Sequence, residues 1–292
     1  MKTRVFAVCV VVFLFCGITH AGLSDGLVAY YPFNGNANDE SGNGNNGVVH
    51  GATLTTDRLG NPNSAYYFNG IDNYIDIDRN QQFSQEGKDK ITVSVWINIL
   101  KPVAGIICGR PFWILHWAGD LPSKMYFFVF DGSFYGVSVL SNSAVSEGWH
   151  HWVGVYDGTK ISIYLDGKVE NSLPHTGPIT NGHNADDPRF VIGKDYLPST
   201  LPDRWNKGSV DELRIYNRAL SEAEIQQLYN EGQVCPDVAV KPYTFTSGTS
   251  AKAAEVNADF NTLYQQINTQ NCQIQALKAI VCQDHPTAIV CQ

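Results

Sequence analysis

The segment Trp149-His150-His151-Trp152-Val153-Gly154-Val155-Tyr156-Asp157-Gly158-Thr159-Lys160-Ile161-Ser162-Ile163-Tyr164-Leu165-Asp166-Gly167 decides the fold class. Asp157-Gly158 and Asp166-Gly167 are turn signals of the hairpin kind, because Gly reaches positive φ without strain and Asp tolerates it. Between them run β-branched and aromatic residues, the types that suit a pleated, half-buried surface. The pattern predicts a meander of Trp149–Tyr156, Lys160–Leu165 and Lys168–Glu170. Outward from it, similar short runs recur between Gly, Asn, Asp and Pro. They are Leu27–Phe33, Ala65–Phe68, Tyr74–Asp78, Ile91–Ile99, Phe112–Trp117, Met125–Phe130, Tyr135–Leu140, Phe190–Ile192 and Val210–Tyr216. Strands at this spacing predict an all-β protein: a two-sheet antiparallel sandwich of the jelly-roll kind.

Composition agrees. Charged residues are 16% of the 292, against 26 Gly, 23 Asn and 12% aromatics, where an average domain carries about 25% charge. With 20 Lys+Arg against 28 Asp+Glu the net charge is −8. An acidic surface without a basic stripe repels phosphate backbones, so no nucleic-acid partner is expected.

Residues 1–21 read as a signal peptide, with Lys2 and Arg4 ahead of the apolar Val5–Ile18 and cleavage before Gly22. That run is shorter than the roughly 20 residues a membrane span needs. The expected product is secreted or held at the cell surface, with no membrane span after cleavage. One helix follows the last strand: Ser221 and Glu224 form a capping box, Ile225 and Leu228 an apolar stripe, and Gly232 a stop. Residues 233–248, with Pro236, Pro242 and Gly248, read as a linker, and 249–283 as a longer helix. Within 251–283, Ala253, Val256, Phe260, Leu263, Ile267, Gln270, Ile274, Leu277 and Val281 recur at alternating steps of three and four. That is a coiled-coil seam. Tyr264 and Ile280 broaden it, favouring a homotrimer. Residues 284–292 form a Cys-containing tail. In an oxidising compartment Cys282 with Cys291 is an easy local pair, Cys235 with Cys272 a candidate second, leaving Cys108 free. Four cysteines allow three pairings, so the choice stays open.

Three stretches together resemble the laminin-G-like branch of the concanavalin-A-type jelly rolls. They are Leu27–Asn43 followed by Gly70–Ile75, Trp149–Trp152 running into Ile163–Gly167, and Val210–Ile225. The resemblance covers residues 22–232. It implies two sheets face to face, a concave face with a rim of loops, and a lectin-like binding module for glycans or extracellular proteins. Many members of the family hold structural calcium.

Ten of the fourteen residues from Asn34 to Gly47 are Asn or Gly, so many amide and carbonyl oxygens lie close together on a pliable backbone. Calcium takes 6–8 such oxygens. Asp39 supplies a carboxylate in this loop, and related jelly rolls place a calcium-binding acid at the position of Asp211 beside it. The expected calcium ligands are the Asp39 and Asp211 side chains, with Asn34 and main-chain oxygens around Asn43–Gly47 completing the shell. The alternative is that the loop merely turns the chain and Asp211 pairs with Arg214 or Lys207. Asp72 and Asn73 form a tight loop where a rim site could lie, though turn chemistry also explains them. Tyr196, Asp203, Arg204 and Trp205 sit in the long connection Lys194–Gly208. Rings there can stack on sugars while Asp and Arg bond hydroxyls; alternatively Trp205 folds under the loop. Trp113, Trp117, Phe134 and Tyr135 are further ring candidates, but strand residues of this type more often fill a core.

Asp76 and Asp78 share a strand face, as a glycosidase pair would. Yet no Glu-x-Asp-x-Glu or Glu-x-Asp-x-x-Glu run exists, and half-exposed strands also alternate this way. His150 and His151 point to opposite strand faces and cannot readily share an ion. The sequence therefore favours a non-catalytic, calcium-supported lectin-like module on an oligomerising helix. The alternatives are a surface-assembly or adhesion protein with no glycan ligand and, further behind, a polysaccharide-cleaving enzyme.

Overall fold

The computed structural model describes residues 22–77, 88–100, 105–109, 113–118, 123–133, 136–180, 190–194 and 205–232. The alternating residues of β6 (Ile91–Ile99) set the layers. Ile91, Val93, Val95, Ile97 and Ile99 enter the main core, so Thr92, Ser94 and Trp96 face the other way.

β6 is central in an eight-stranded antiparallel sheet. Its order is β13 (Lys168–Pro174), β12 (Lys160–Leu165), β11 (Gly148–Tyr156), β6, β15 (Lys207–Tyr216), β4 (Ala65–Asn69) and β3 (Thr53–Thr55), with β1 (Leu27–Tyr31) also on β15. β4 takes the first half of β15 and β1 the second. The facing seven-stranded sheet has the order β10 (Val137–Leu140), β9 (Lys124–Val129), β8 (Trp113–Ala118), β7 (Gly105–Gly109), β14 (Phe190–Ile192), β5 (Tyr74–Ile77) and β2 (Gly47–His50). Two antiparallel sheets packed this way make the expected jelly-roll sandwich.

The sheets approach closely. A Cβ on Gly154 of β11 would sit 2.3 Å from the Phe127 ring of β9, so only glycine fits. Trp152, Trp113, Phe190 and the buried thiol of Cys108 fill the same layer. The predicted meander is present, with its third strand running on to Pro174 rather than Glu170. β15 starts at Lys207 instead of Val210. β2, β3 and β7 are strands that the sequence reading did not assign; each is five residues or shorter.

Outside the eight-stranded sheet lies α1 (Glu222–Asn230), opened by the anticipated capping box between Ser221 and Glu224. Its Ile225 and Leu228 join Leu220 over Val153, Val155, Tyr164 and Tyr216 as a second apolar layer. Among the described residues no helix is long and apolar enough to cross a membrane. The leader, the linker, the 249–283 helix and the cysteines at 235, 272, 282 and 291 lie outside the described residues.

Candidate binding face

The two outer faces differ. That of the eight-stranded sheet carries α1 and a charged network. Asp211 faces Arg58, and Arg214 bridges Glu212 at 2.8 Å and Glu231 at 2.5 Å. Across the sandwich, strand alternation turns another set outward. Leu115, Met125, Phe127, Ile75 and Ile77 point inward, which leaves His116, Tyr126, Phe128, Tyr74 and Asp76 on the outer side.

These outward residues form a row. Tyr126 pairs with His116 across β9 and β8, and Tyr74 with His50 across β5 and β2. The intervening register, Leu115 to Cys108 to Ile192 to Ile75, places His116 and Tyr74 at the same height on their strands. From β9 to β2 is five strand spacings, about 24 Å. At one end the His116 ring stacks on Tyr126 and Phe128, each centroid 5.0 Å away. At the other, His50 stacks on Tyr74 at 4.3 Å, and Tyr74 lies 6.2 Å from Trp205. Lys194 Nζ stands 4.7 Å from the Trp205 ring and 5.3 Å from that of Tyr74. His50 is exposed, and Tyr74, Trp205, Tyr126 and Phe128 are half-buried.

Of the rings anticipated for ligand contact, Trp205 stands half-buried in this cluster beside Tyr74. Tyr196, Asp203, Arg204, Asp78, Phe134 and Tyr135 lie outside the described residues. Trp113 is core. Sequence reasoning missed His50, Tyr74, His116, Tyr126 and Phe128. The continuous apolar run around Met125–Phe128 hides its period of two, because both faces of β9 carry large side chains.

Asp72 and Asn73 sit in a loop closed by its own polar groups. Asn69 Oδ1 accepts the N–H of Ile71, Asp72 and Asn73, and Asp72 Oδ1 accepts from Asn69 Nδ2 at 2.7 Å. Asp39 is likewise a cap. Its Oδ1 accepts the N–H of Tyr30 and Ser41, and its Oδ2 that of Asn45 at 2.9 Å. Burial works against its charge, but these bonds hold its pKa below the usual carboxylate value. Asn43 and Asn45 give their side-chain N–H to the Val28 carbonyl, each at 3.0 Å, and the Asn34 carbonyl accepts from Asn36 Nδ2 at 3.4 Å.

Asp211 is 2% exposed and meets Arg58 Nη1 at 3.3 Å, not Arg214 or Lys207. Burial and the Glu212 charge push its pKa up to about 8, with Arg58 pulling the other way. As arranged, these residues do not fit a shared calcium ion: N–H donors occupy Asp39 and a guanidinium occupies Asp211. Among the described residues no three His, Cys, Asp or Glu side chains converge on one point.

His151 and His150 separate as expected. His151 is fully buried against Ser94 Oγ at 2.8 Å, its pKa lowered to about 3 by burial and then by Arg58 and Arg214. His150 Nδ1 meets Asp166 at 2.9 Å and its Nε2 meets Ser146 Oγ at 2.8 Å. That order is the order of a hydrolase triad, but Ser146 is exposed on the rim, outside the water-excluded surroundings such chemistry uses. Asp166 also accepts the His151 N–H, which makes the pair a strap on the hairpin turn.

Residues 68–226 match the laminin-G-type family described as the concanavalin A-like lectin/glucanases superfamily. The chain belongs to that family. Similar solved structures include the binding domain of Paraclostridial Mosquitocidal Protein 1, with 16% identity, a TM-score of 0.56 and coverage of 72% of this chain and 53% of that one. A structure of botulinum neurotoxin type C, whose cell entry depends on two ganglioside molecules, gives 14%, 0.55, 72% and 52%. The binding domain of botulinum neurotoxin DC in complex with SialylT gives 14%, 0.54, 72% and 52%. At such identities what is shared is the fold, and the chain spans about half the length of these proteins. No curated protein sequence matches the chain.

Proposed function

We propose that this chain is a non-catalytic, lectin-like binding module whose ligand face is the outer side of the seven-stranded sheet. The observation that carries the reading is the ring row from Tyr126 to His50, on the face that α1 leaves uncovered, with Trp205 at its end. Rings present apolar faces to the C–H faces of sugars, and Lys194 and the exposed His50 supply polar contacts. Two clusters about 24 Å apart suit an extended glycan better than one terminal sugar. The ganglioside and SialylT partners of the similar toxin domains are consistent with a glycan or cell-surface ligand.

The missing acid triplet supports a non-catalytic reading, and the leader supports export to the medium or the cell surface. The seam through 251–283 supports a homotrimer that would multiply weak sites. A glycan array with the mature chain is the test. Trp205→Ala and Tyr126→Ala should each weaken a hit about tenfold, in line with the ~1.5 kcal/mol of a good ring contact. Absence of any glycan hit would move the reading to surface assembly or adhesion. Release of reducing ends from β-glucan or alginate would move it to an enzyme.

A further inference from the structure

Buried carboxylate charge must be matched by a cation. On the outer face of the eight-stranded sheet that cation belongs to the chain itself. Arg58 Nη1 lies 3.3 Å from Asp211 Oδ2, with side-chain exposures of 7% and 2%. Arg58 Nη2 donates to the main-chain oxygen of Glu231 at 2.6 Å. The guanidinium carbon stands 4.5 Å from the centre of the Trp96 ring. A carboxylate and a peptide carbonyl are donors that calcium uses. An indole face on the same cation suits a flat, weakly hydrated guanidinium instead.

We infer that Arg58 is the resident cation of this site. It fills the place a metal ion would take beside Asp211, and it ties the β3–β4 connection, β15 and the end of α1 together without one. The pliable Asn/Gly loop is accordingly held by its own amides and not by metal. Removing the guanidinium should uncover a site for a divalent cation.

The experiment uses the full mature chain. Melting is followed in millimolar calcium and in chelator, and terbium luminescence is excited through Trp96. The unaltered protein should melt at the same temperature in both. Arg58→Ala should melt roughly 6–12 °C lower, regain several degrees in calcium and sensitise terbium; adding Asp211→Asn should abolish both gains. If Arg58→Ala fails to fold, Arg58→Lys keeps a point charge and should fold without responding to calcium. A calcium-dependent rise in the unaltered protein that disappears in Asp211→Asn would overturn the inference. So would an Arg58→Ala protein that melts lower yet ignores calcium and terbium, or an Arg58→Lys protein that gains a calcium response.

Discussion

Gly154 and Asp39 each hold their place for a reason a side-chain count would miss. Gly154 lies where the two sheets nearly touch, and a methyl there would meet Phe127 at 2.3 Å. Phe127 is fully buried and cannot swing aside. Gly154→Ala should therefore lower the melting temperature by roughly 4–10 °C, the range for overpacking. Pairing it with Phe127→Leu should return part of that loss in calorimetry. Asp39 acts through charge. Its folded pKa lies below its unfolded one, so its contribution is complete above the unfolded value of about 3.9 and fades as pH falls through the folded value. Asp39→Asn turns a donor toward at least one N–H and should cost about 2 kcal/mol at neutral pH. The gap between variant and parent should then shrink in acid-unfolding curves as pH falls below the unfolded value. The sequence revealed the oxygen-rich loop, but not whether those oxygens face a metal or amides. That depends on which strand the loop folds against, a contact made with Val28 and Tyr30.

Elements show where sequence patterns speak and where they fall silent. β6 and β12 are read to the residue because large apolar side chains recur at every second position, and β14 because it is a short apolar run. β15 is harder. Val210 and Leu213 both point inward, with Asp211 and Glu212 between them, so the period of two breaks. The structure resolves this as a bulge between Asp211 and Arg214, with Glu212 at φ 52°. Two consecutive acids between inward apolar residues were the visible trace. α1 was legible from its capping box, but its partner surface was not, since Val153, Val155 and Tyr164 come from distant strands. A helix of nine residues cannot stand by propensity alone. Leu228→Ala should therefore cost about 2–4 kcal/mol and Ser221→Ala only about 1 kcal/mol. Denaturant unfolding of the two variants checks the ratio; equal losses would mean that packing on the sheet contributes little.

For the whole molecule, division of labour between two outer faces is the central feature. One is sealed by α1 and the Arg58–Asp211 and Arg214–Glu231 pairs; the other offers rings. The family and the two-sheet architecture were legible in three sequence stretches because turn signals and strand patterns lie locally in the chain. The ring row was not, since it assembles from β2, β5, β8 and β9 and exists only once strand register is known. Oligomerisation belongs to this scale as well. The mature chain should sediment as a trimer and a chain ending at Gly232 as a monomer; a monomer in both would remove the coiled coil.

The pairing of β1 with β15 also has a mechanical side. Leu27, where β1 starts, lies opposite Tyr216, where β15 ends. The two ends of the jelly roll thus leave from the same end of one antiparallel ribbon. Tension applied between them loads the ladder bond by bond, as a zipper, and not all at once in shear. Once α1 lifts, such a joint yields at low force, so a tether built on this domain would lengthen under load before its ligand face was disturbed.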